Sequence, residues 1–121
     1  MRSVFINHTN HPSVTWTEAE LAAAEQFGPV QDFVFPAIDP EWDEETVTQL
    51  AQKNGEKILS MHPAAVLCQG EFTYCFALIT FLKMQGITVL SACSKRETTE
   101  WEDGDISIKE ARFSFVRFRK F

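Results

Sequence analysis

Three short polar segments each follow an apolar, β-rich run, and together they hold residue types suited to a phosphate ester. The first is Asn7-His8-Thr9-Asn10-His11, the second Gln69-Gly70-Glu71-Phe72-Thr73, and the third Ser94-Lys95-Arg96. An imidazole changes charge near neutral pH, so His8 is the natural candidate acid or base. Lys95 and Arg96 side by side read as a phosphate clamp, the Arg supplying a planar two-pronged donor. Ser94 adds a hydroxyl beside them. The Gln69-Gly70 turn opens a helix whose first backbone N–H groups suit an anion, and Gly70 lets the backbone come close to a ligand. Glu71 opposes an anion unless it accepts a hydrogen bond from a ribose hydroxyl.

These readings make His8, Ser94, Lys95 and Arg96 the catalytic candidates. Asn7, Thr9, Asn10, Gln69, Gly70, Glu71, Phe72 and Thr73 are the ligand-binding candidates. Each segment also has a plainer reading: His8 capping a strand end, Gln-Gly-Glu simply starting a helix, and Lys95-Arg96 as solvated charge.

Other chemistries find less support. The chain has no G-x-G-x-x-G, no Walker loop and no G-x-S-x-G elbow. His8 and His11 lack an evident third ligand, and Cys68, Cys75 and Cys93 form no CxxC pair, so no metal or cofactor is expected. A thiol nucleophile at Cys68 or Cys93 with His8 as base is conceivable, against the reading of both as core residues. A flavodoxin-type phosphate loop is only half present in Asn7–Asn10.

The elements that must position these segments follow from periodicity. Ser3–His8 reads as a buried first strand. Thr15 or Thr17 caps a helix running to Phe27, with Leu21 and Ala24 inward and Gly28 as its stop. Val30–Phe35 is a second strand ended by Pro36. Asp43 begins a long helix with acids in its first turn, and Pro63 forbids its continuation. Ala64–Cys68 is a buried strand, Phe72–Gln85 a helix, and Ile87–Ala92 the next strand, after which Ser94-Lys95-Arg96 follows as its end. Asp103-Gly104 is a hairpin turn, and Ile106–Phe121 alternates as one or two antiparallel edge strands. The order β-α-β-α-β-α-β plus hairpin predicts a single Rossmann-like domain over residues 1–121: α/β, three layers, a mostly parallel sheet and an antiparallel C-terminal hairpin edge. Open sheets of this kind bind ligands beyond the carboxyl ends of their strands, which is where the three segments fall.

Composition narrows the ligand. The 121 residues carry 11 basic and 17 acidic side chains, a net charge of -6. Generic coating of long DNA or RNA feeds on positive charge and is not expected. Residues 1–94 hold four basic and eleven acidic side chains, whereas residues 95–121 hold seven and six. A local anion site is therefore compatible with an acidic whole. No apolar run approaches a membrane span and no signal peptide is evident, so the expectation is a cytoplasmic protein with reduced thiols. Eleven Phe residues, several in the last strand, point to a face that meets a second subunit, a homodimer.

Taken together, Gln69-Gly70-Glu71-Phe72-Thr73-Tyr74, Gly86-Ile87, Ser94-Lys95-Arg96 and the closing Phe115-Val116-Arg117-Phe118-Arg119-Lys120-Phe121 resemble a small family of CRISPR-associated proteins. These belong to the Csx group and are related to the CARF sensor domains. The resemblance covers about three-quarters of the chain, least between Phe35 and His62. It implies a ring nuclease that binds cyclic oligoadenylate, chiefly cyclic tetra-adenylate, across a homodimer interface and cleaves it without metal, ending type III CRISPR signalling. By that likeness a ribose 2′-hydroxyl attacks the adjacent phosphate, Lys95 and Arg96 hold the phosphate with Ser94, and the Gln69-Gly70 turn cradles backbone oxygens. A module that binds the ring without cutting it is the alternative.

Overall fold

A computed structural model describes residues 3–121. Five strands form one sheet in the order β2-β1-β3-β4-β5. They are β1 (Val4–His8), β2 (Val30–Asp32), β3 (Pro63–Cys68), β4 (Val89–Asp103) and β5 (Ile106–Lys120). The pairs β2–β1, β1–β3 and β3–β4 are parallel, and β4–β5 is antiparallel. Three α-helices connect the parallel strands: α1 (Glu18–Glu25), α2 (Glu44–Ser60) and α3 (Phe72–Met84). The fold is the expected Rossmann-like α/β sandwich with an antiparallel edge.

Strand alternation assigns the layers. Phe5 of β1 faces one side, where Ala24 of α1, Ala65, Leu67 and Leu90 close a small core joined by Trp16 and Phe118. Ile6 faces the other side, where Val47, Ala51 and Ile58 of α2 meet Tyr74, Leu78 and Leu82 of α3. Each fully buried Leu, Ile, Val or Phe among them contributes roughly 1.5–3 kcal/mol.

The helix starts are local. Thr17 accepts from the Glu20 N–H and Asp43 from the Thr46 N–H, so both helices begin on side-chain caps. Each also opens with acids in its first turn, where the helix dipole favours them.

Two boundaries differ from the periodic reading, and both bear on the site. β2 stops at Asp32 instead of Phe35. The Phe33 N–H still reaches the Asn7 carbonyl at 2.9 Å, but from there the Phe33 and Phe35 rings turn in to pack on His8. β4 does not end at Ala92; it runs on to Asp103, paired throughout with β5. The Ser94-Lys95-Arg96 segment is therefore inside a strand and not a loop following one. The physical reason is the Asp103-Gly104 hairpin, which gives every residue of that stretch a partner.

Candidate functional site

The chain leaves β1 toward β2 on one side and returns through α2 to β3 on the other. The strand order thus switches between β1 and β3, where His8 lies opposite Cys68. The two sides of that switch point differ sharply.

On the α2–α3 side, His8 is sealed. Its side chain is fully buried, and both ring nitrogens are taken: Nδ1 lies 2.8 Å from the Phe33 carbonyl and Nε2 2.7 Å from the Tyr74 hydroxyl. A carbonyl only accepts, so Nδ1 carries the proton and the Tyr74 O–H donates to Nε2. The Asn54 amide donates in turn to the Tyr74 oxygen at 3.0 Å. Burial holds the His8 pKa below its ordinary value, partly offset by the bond to Phe33. Burial also pushes the Tyr74 phenol up, with the Asn54 bond opposing. The geometry is that of a neutral core histidine in a completed network. Cys68 is likewise buried, and its thiol is pushed up by the Cys75 thiol beside it and by burial; it does not face solvent as a nucleophile.

The Gln69–Thr73 turn is also spoken for. The Gln69 side-chain oxygen accepts from the Ala92 N–H at 2.8 Å, tying the end of β3 to β4. A Cβ on Gly70, whose φ is +158°, would sit 2.3 Å from Cζ of Phe35. The missing side chain thus makes room for that ring and not for a ligand. Glu71 caps α3 with its own carboxylate, accepting from the Thr73 N–H at 2.8 Å, the Tyr74 N–H at 3.0 Å and the Thr73 hydroxyl at 2.7 Å. Those bonds, the Thr73 N–H foremost, hold its pKa below the usual carboxylate range. The N–H groups expected to receive a phosphate are already occupied. Phe72 is 88% exposed on the other side of the helix start.

On the α1 side, a cavity of about 500 Å³ opens beyond the ends of β1 and β3 and over the Ala92–Ser94 stretch of β4. Thr9 of the first segment, Gln69 of the second and Ser94 of the third all line it. His11, Thr17 and Glu20 add polar groups, and Trp16, Phe113 and Phe115 add aromatic walls. The wall is held by Asn7, whose buried amide donates to the His11 carbonyl at 2.9 Å and to Asp32 at 3.0 Å. The Asn7 oxygen accepts from the Thr9 hydroxyl, and that hydroxyl accepts from the His11 N–H. Trp16 is pinned by its indole N–H to the His11 carbonyl at 3.1 Å. Asn7 is thus a brace for the loop, and Asn10 lies exposed outside the lining residues. Burial raises the Glu20 pKa, and the charge of nearby His11 draws it back down.

The hairpin splits the proposed clamp. Ser94 pairs with Phe115 and Arg96 with Phe113, while Lys95 pairs with Ser114. Neighbours along a strand face opposite sides, so Arg96 shares the face of Ser94 beside Phe113, just outside the residues that line the cavity, and Lys95 lies on the other face. A larger cavity of about 740 Å³ lies on the opposite face beside α3. It gathers nothing from the first or third segment, and the smaller one is the better candidate site.

The sequence reading placed His11 in the first polar segment without making it a site residue, and it missed Trp16, Glu20, Phe113 and Phe115. The one signal for them was the unusual density of Asn, His and Trp between residues 7 and 16. Among the described residues, no three His, Cys, Asp or Glu side chains group as a metal site, and no helix is long and apolar enough to cross a membrane.

Comparison with known proteins supplies one match. The profile of the Uncharacterized protein MJ1673 family covers residues 3–119. The chain belongs to that family. No curated protein and no solved structure matches it significantly. The match runs from the residue before β1 to one residue short of the end of β5, and so takes in every residue that lines the 500 Å³ cavity.

Proposed function

We propose that this chain is a cytoplasmic ring nuclease that binds a cyclic oligoadenylate, such as cyclic tetra-adenylate, in the strand-end cavity and cuts it. The observation that carries the reading is the convergence of Thr9, Gln69 and Ser94, from three separate segments, on one aromatic-walled cavity. Adenine offers a π-face to Trp16, Phe113 or Phe115 and a polar edge to the Ser94 hydroxyl and the Gln69 side-chain NH2 group. Arg96, on the same strand face, supplies a bidentate donor to a phosphate. The likeness of the Gln69–Thr73 turn and the Phe115–Phe121 tail to the CRISPR-associated family supports the choice of ligand. A ring of four nucleotides exceeds one such cavity, so the reading needs a second copy across a two-fold axis.

In this reading His11, exposed at the cavity and close to Glu20, takes the acid–base role in place of the sealed His8. His11 accepts the proton of the ribose 2′-hydroxyl as that oxygen bonds to phosphorus. The bond from phosphorus to the 5′ oxygen breaks, and the 5′ oxygen takes a proton from solvent. The products are a 2′,3′-cyclic phosphate and a 5′-hydroxyl. Arg96 and Ser94 stabilise the charge that gathers on the phosphoryl oxygens. Lys95 takes no part, because it lies on the far face.

The test is incubation of purified protein with cyclic tetra-adenylate, followed by chromatography. Linear products ending in 2′,3′-cyclic phosphate support cleavage. Tight binding with an intact ring supports the sequestering module instead, a reading favoured by one observation: the α3 N-terminus, a natural phosphate seat, is filled by Glu71. No thermal shift with cyclic or linear oligoadenylates rejects both.

A further inference from the structure

Two surfaces that the fold leaves bare complement each other in charge, and both are apolar at their centres. Past a register shift at Cys93/Ser94, β4 and β5 leave the helices behind and run on as a two-stranded ribbon. Every residue from 94 to 107 is exposed. Ten residues of β4, Ser94 to Asp103, make this arm roughly 30 Å long at about 3.3 Å per residue. An isolated two-stranded hairpin is marginal in water and needs a further strand or a helix against it. Among the described residues, nothing supplies either to the outer part of this arm; only its base, at Ser94, Phe113 and Phe115, borders α1 across the smaller cavity.

Its tip is apolar and acidic. The cross-strand pairs Trp101–Ile108 and Asp103–Ile106 place the three large apolar side chains on one face, with Trp101 43% and Ile106 66% exposed. Glu100, Glu102, Asp103 and Asp105 surround them against a single cation, Lys109, which is bound to Glu100 at 3.1 Å.

The second surface is the 740 Å³ groove beside α3. Among the described residues, no helix beyond α3 covers this face, and α3 reaches only the start of β4, so Phe72, Phe76 and Ile79 look across at Ser91 and Phe121. Phe76 remains 75% exposed. Lys83 is the one charged lining residue, and no acid lines the groove. Arg117 and Arg119 stand on the same strand face, opposite Cys93 and Ser91. The groove is therefore apolar within and basic at its rim.

We propose that the chain dimerises by exchanging ribbons, each tip lying in the α3 groove of a second copy. Donor and acceptor surfaces of opposite charge are present on one chain, and a single two-fold rotation satisfies both at once, as an isologous interface requires. The partner's α3 is then the helix that the ribbon lacks. Trp101 is the large aromatic anchor and the charged rim sets the register. This inference rests on the ribbon and the groove and does not depend on what the strand-end cavity binds.

The experiment is the solution mass of the intact protein by sedimentation equilibrium, alone and in variants. The wild-type protein is expected at twice the 13.8 kDa chain mass. Lys83→Glu, on an exposed helix position, is expected to weaken the dimer roughly tenfold or more through like-charge contact, and Asp103→Lys with Asp105→Lys in the same chain to restore it. Trp101→Asp is expected to give a monomer with an unchanged far-UV circular dichroism spectrum; if that variant does not fold, the charge reversal alone decides. A wild-type monomer overturns the proposal, as does a dimer indifferent to Lys83→Glu. Oligoadenylate binding measured on the same monomeric variants separates loss of the dimer from failure of the ligand reading.

Discussion

The His8 imidazole and the Tyr74 hydroxyl meet at 2.7 Å across the inside of the molecule, 66 residues apart in the chain. That bond joins β1 to α3, and its continuation through Asn54 adds α2. A histidine that looks catalytic by type and position is here a rivet between three elements. Its two nitrogens carry one proton, and both have a partner.

Tyr74→Phe removes the donor to His8 and the acceptor for Asn54 while keeping the ring. It is expected to cost roughly 1–3 kcal/mol, the penalty of leaving buried polar groups unpaired. Urea unfolding measures it. A change within error means that the network is already open to water.

The same network sets a pH dependence. The folded His8 pKa lies below its unfolded value, roughly 6.5, so the unfolded chain takes up the proton first. The His8 contribution to stability is complete above about pH 6.5 and is lost below it, by at most about 1.4 kcal/mol per pH unit, until the folded imidazole itself protonates. Unfolding curves of wild type and His8→Gln across this range isolate the term. Parallel pH profiles for the two proteins count against it.

Gly70→Ala places a methyl 2.3 Å from the Phe35 ring. Overpacking of this kind costs roughly 1–3 kcal/mol. Combined with Phe35→Ala, the loss is expected to be less than the sum of the two single losses, because the second change vacates the space. Strict additivity in thermal or urea unfolding shows that the ring is not what excludes the methyl.

Glu71→Ala strips the cap from α3, at roughly 1 kcal/mol. The folded carboxyl titrates below its unfolded value, so this contribution is present above roughly pH 4.3 and disappears as the pH falls through the folded pKa. Ligand affinity should hardly change. A large loss of oligoadenylate binding would return Glu71 to the site.

Arg96 and Lys95 are adjacent in sequence but on opposite faces of β4. Arg96→Ala is expected to weaken cyclic tetra-adenylate binding by roughly tenfold or more, the scale of one charge-assisted hydrogen bond, whereas Lys95→Ala leaves it nearly unchanged. Calorimetry on both variants decides. Equal losses restore the two-residue clamp, and no loss in either removes the hairpin wall from the site.

Periodicity and punctuation were enough for the architecture. The Thr17 and Asp43 caps, the glycines after α1 and α3, and the apolar runs of β1, β3 and β4 are local signals. Parallel α/β units admit few arrangements, so these signals imply the sandwich. The strand-end positions of the first two polar segments also follow from sequence, because chain direction is part of the pattern; the third, Ser94-Lys95-Arg96, lies inside β4, which its pairing with β5 extends.

Which side chain faces what did not follow. One residue's offset along a strand reverses its face, so His8 is sealed among helices while Thr9 lines a cavity, and Lys95 parts from Arg96. Whether a turn's N–H groups are free depends on neighbours in space: Glu71 folds back onto its own helix, and Phe35, 35 residues earlier in the chain, fills the space above Gly70. The aromatic wall of Trp16, Phe113 and Phe115 joins residues nearly a hundred positions apart, which only the closed sheet brings together. The amino-acid sequence by itself determined the order and type of the elements and the residue types in the polar segments, though not where β2 and β4 end. Tertiary structure decided which of those residues are bonded to each other and which remain free for a ligand, because a hydrogen-bonding group spent on the fold is no longer available for chemistry.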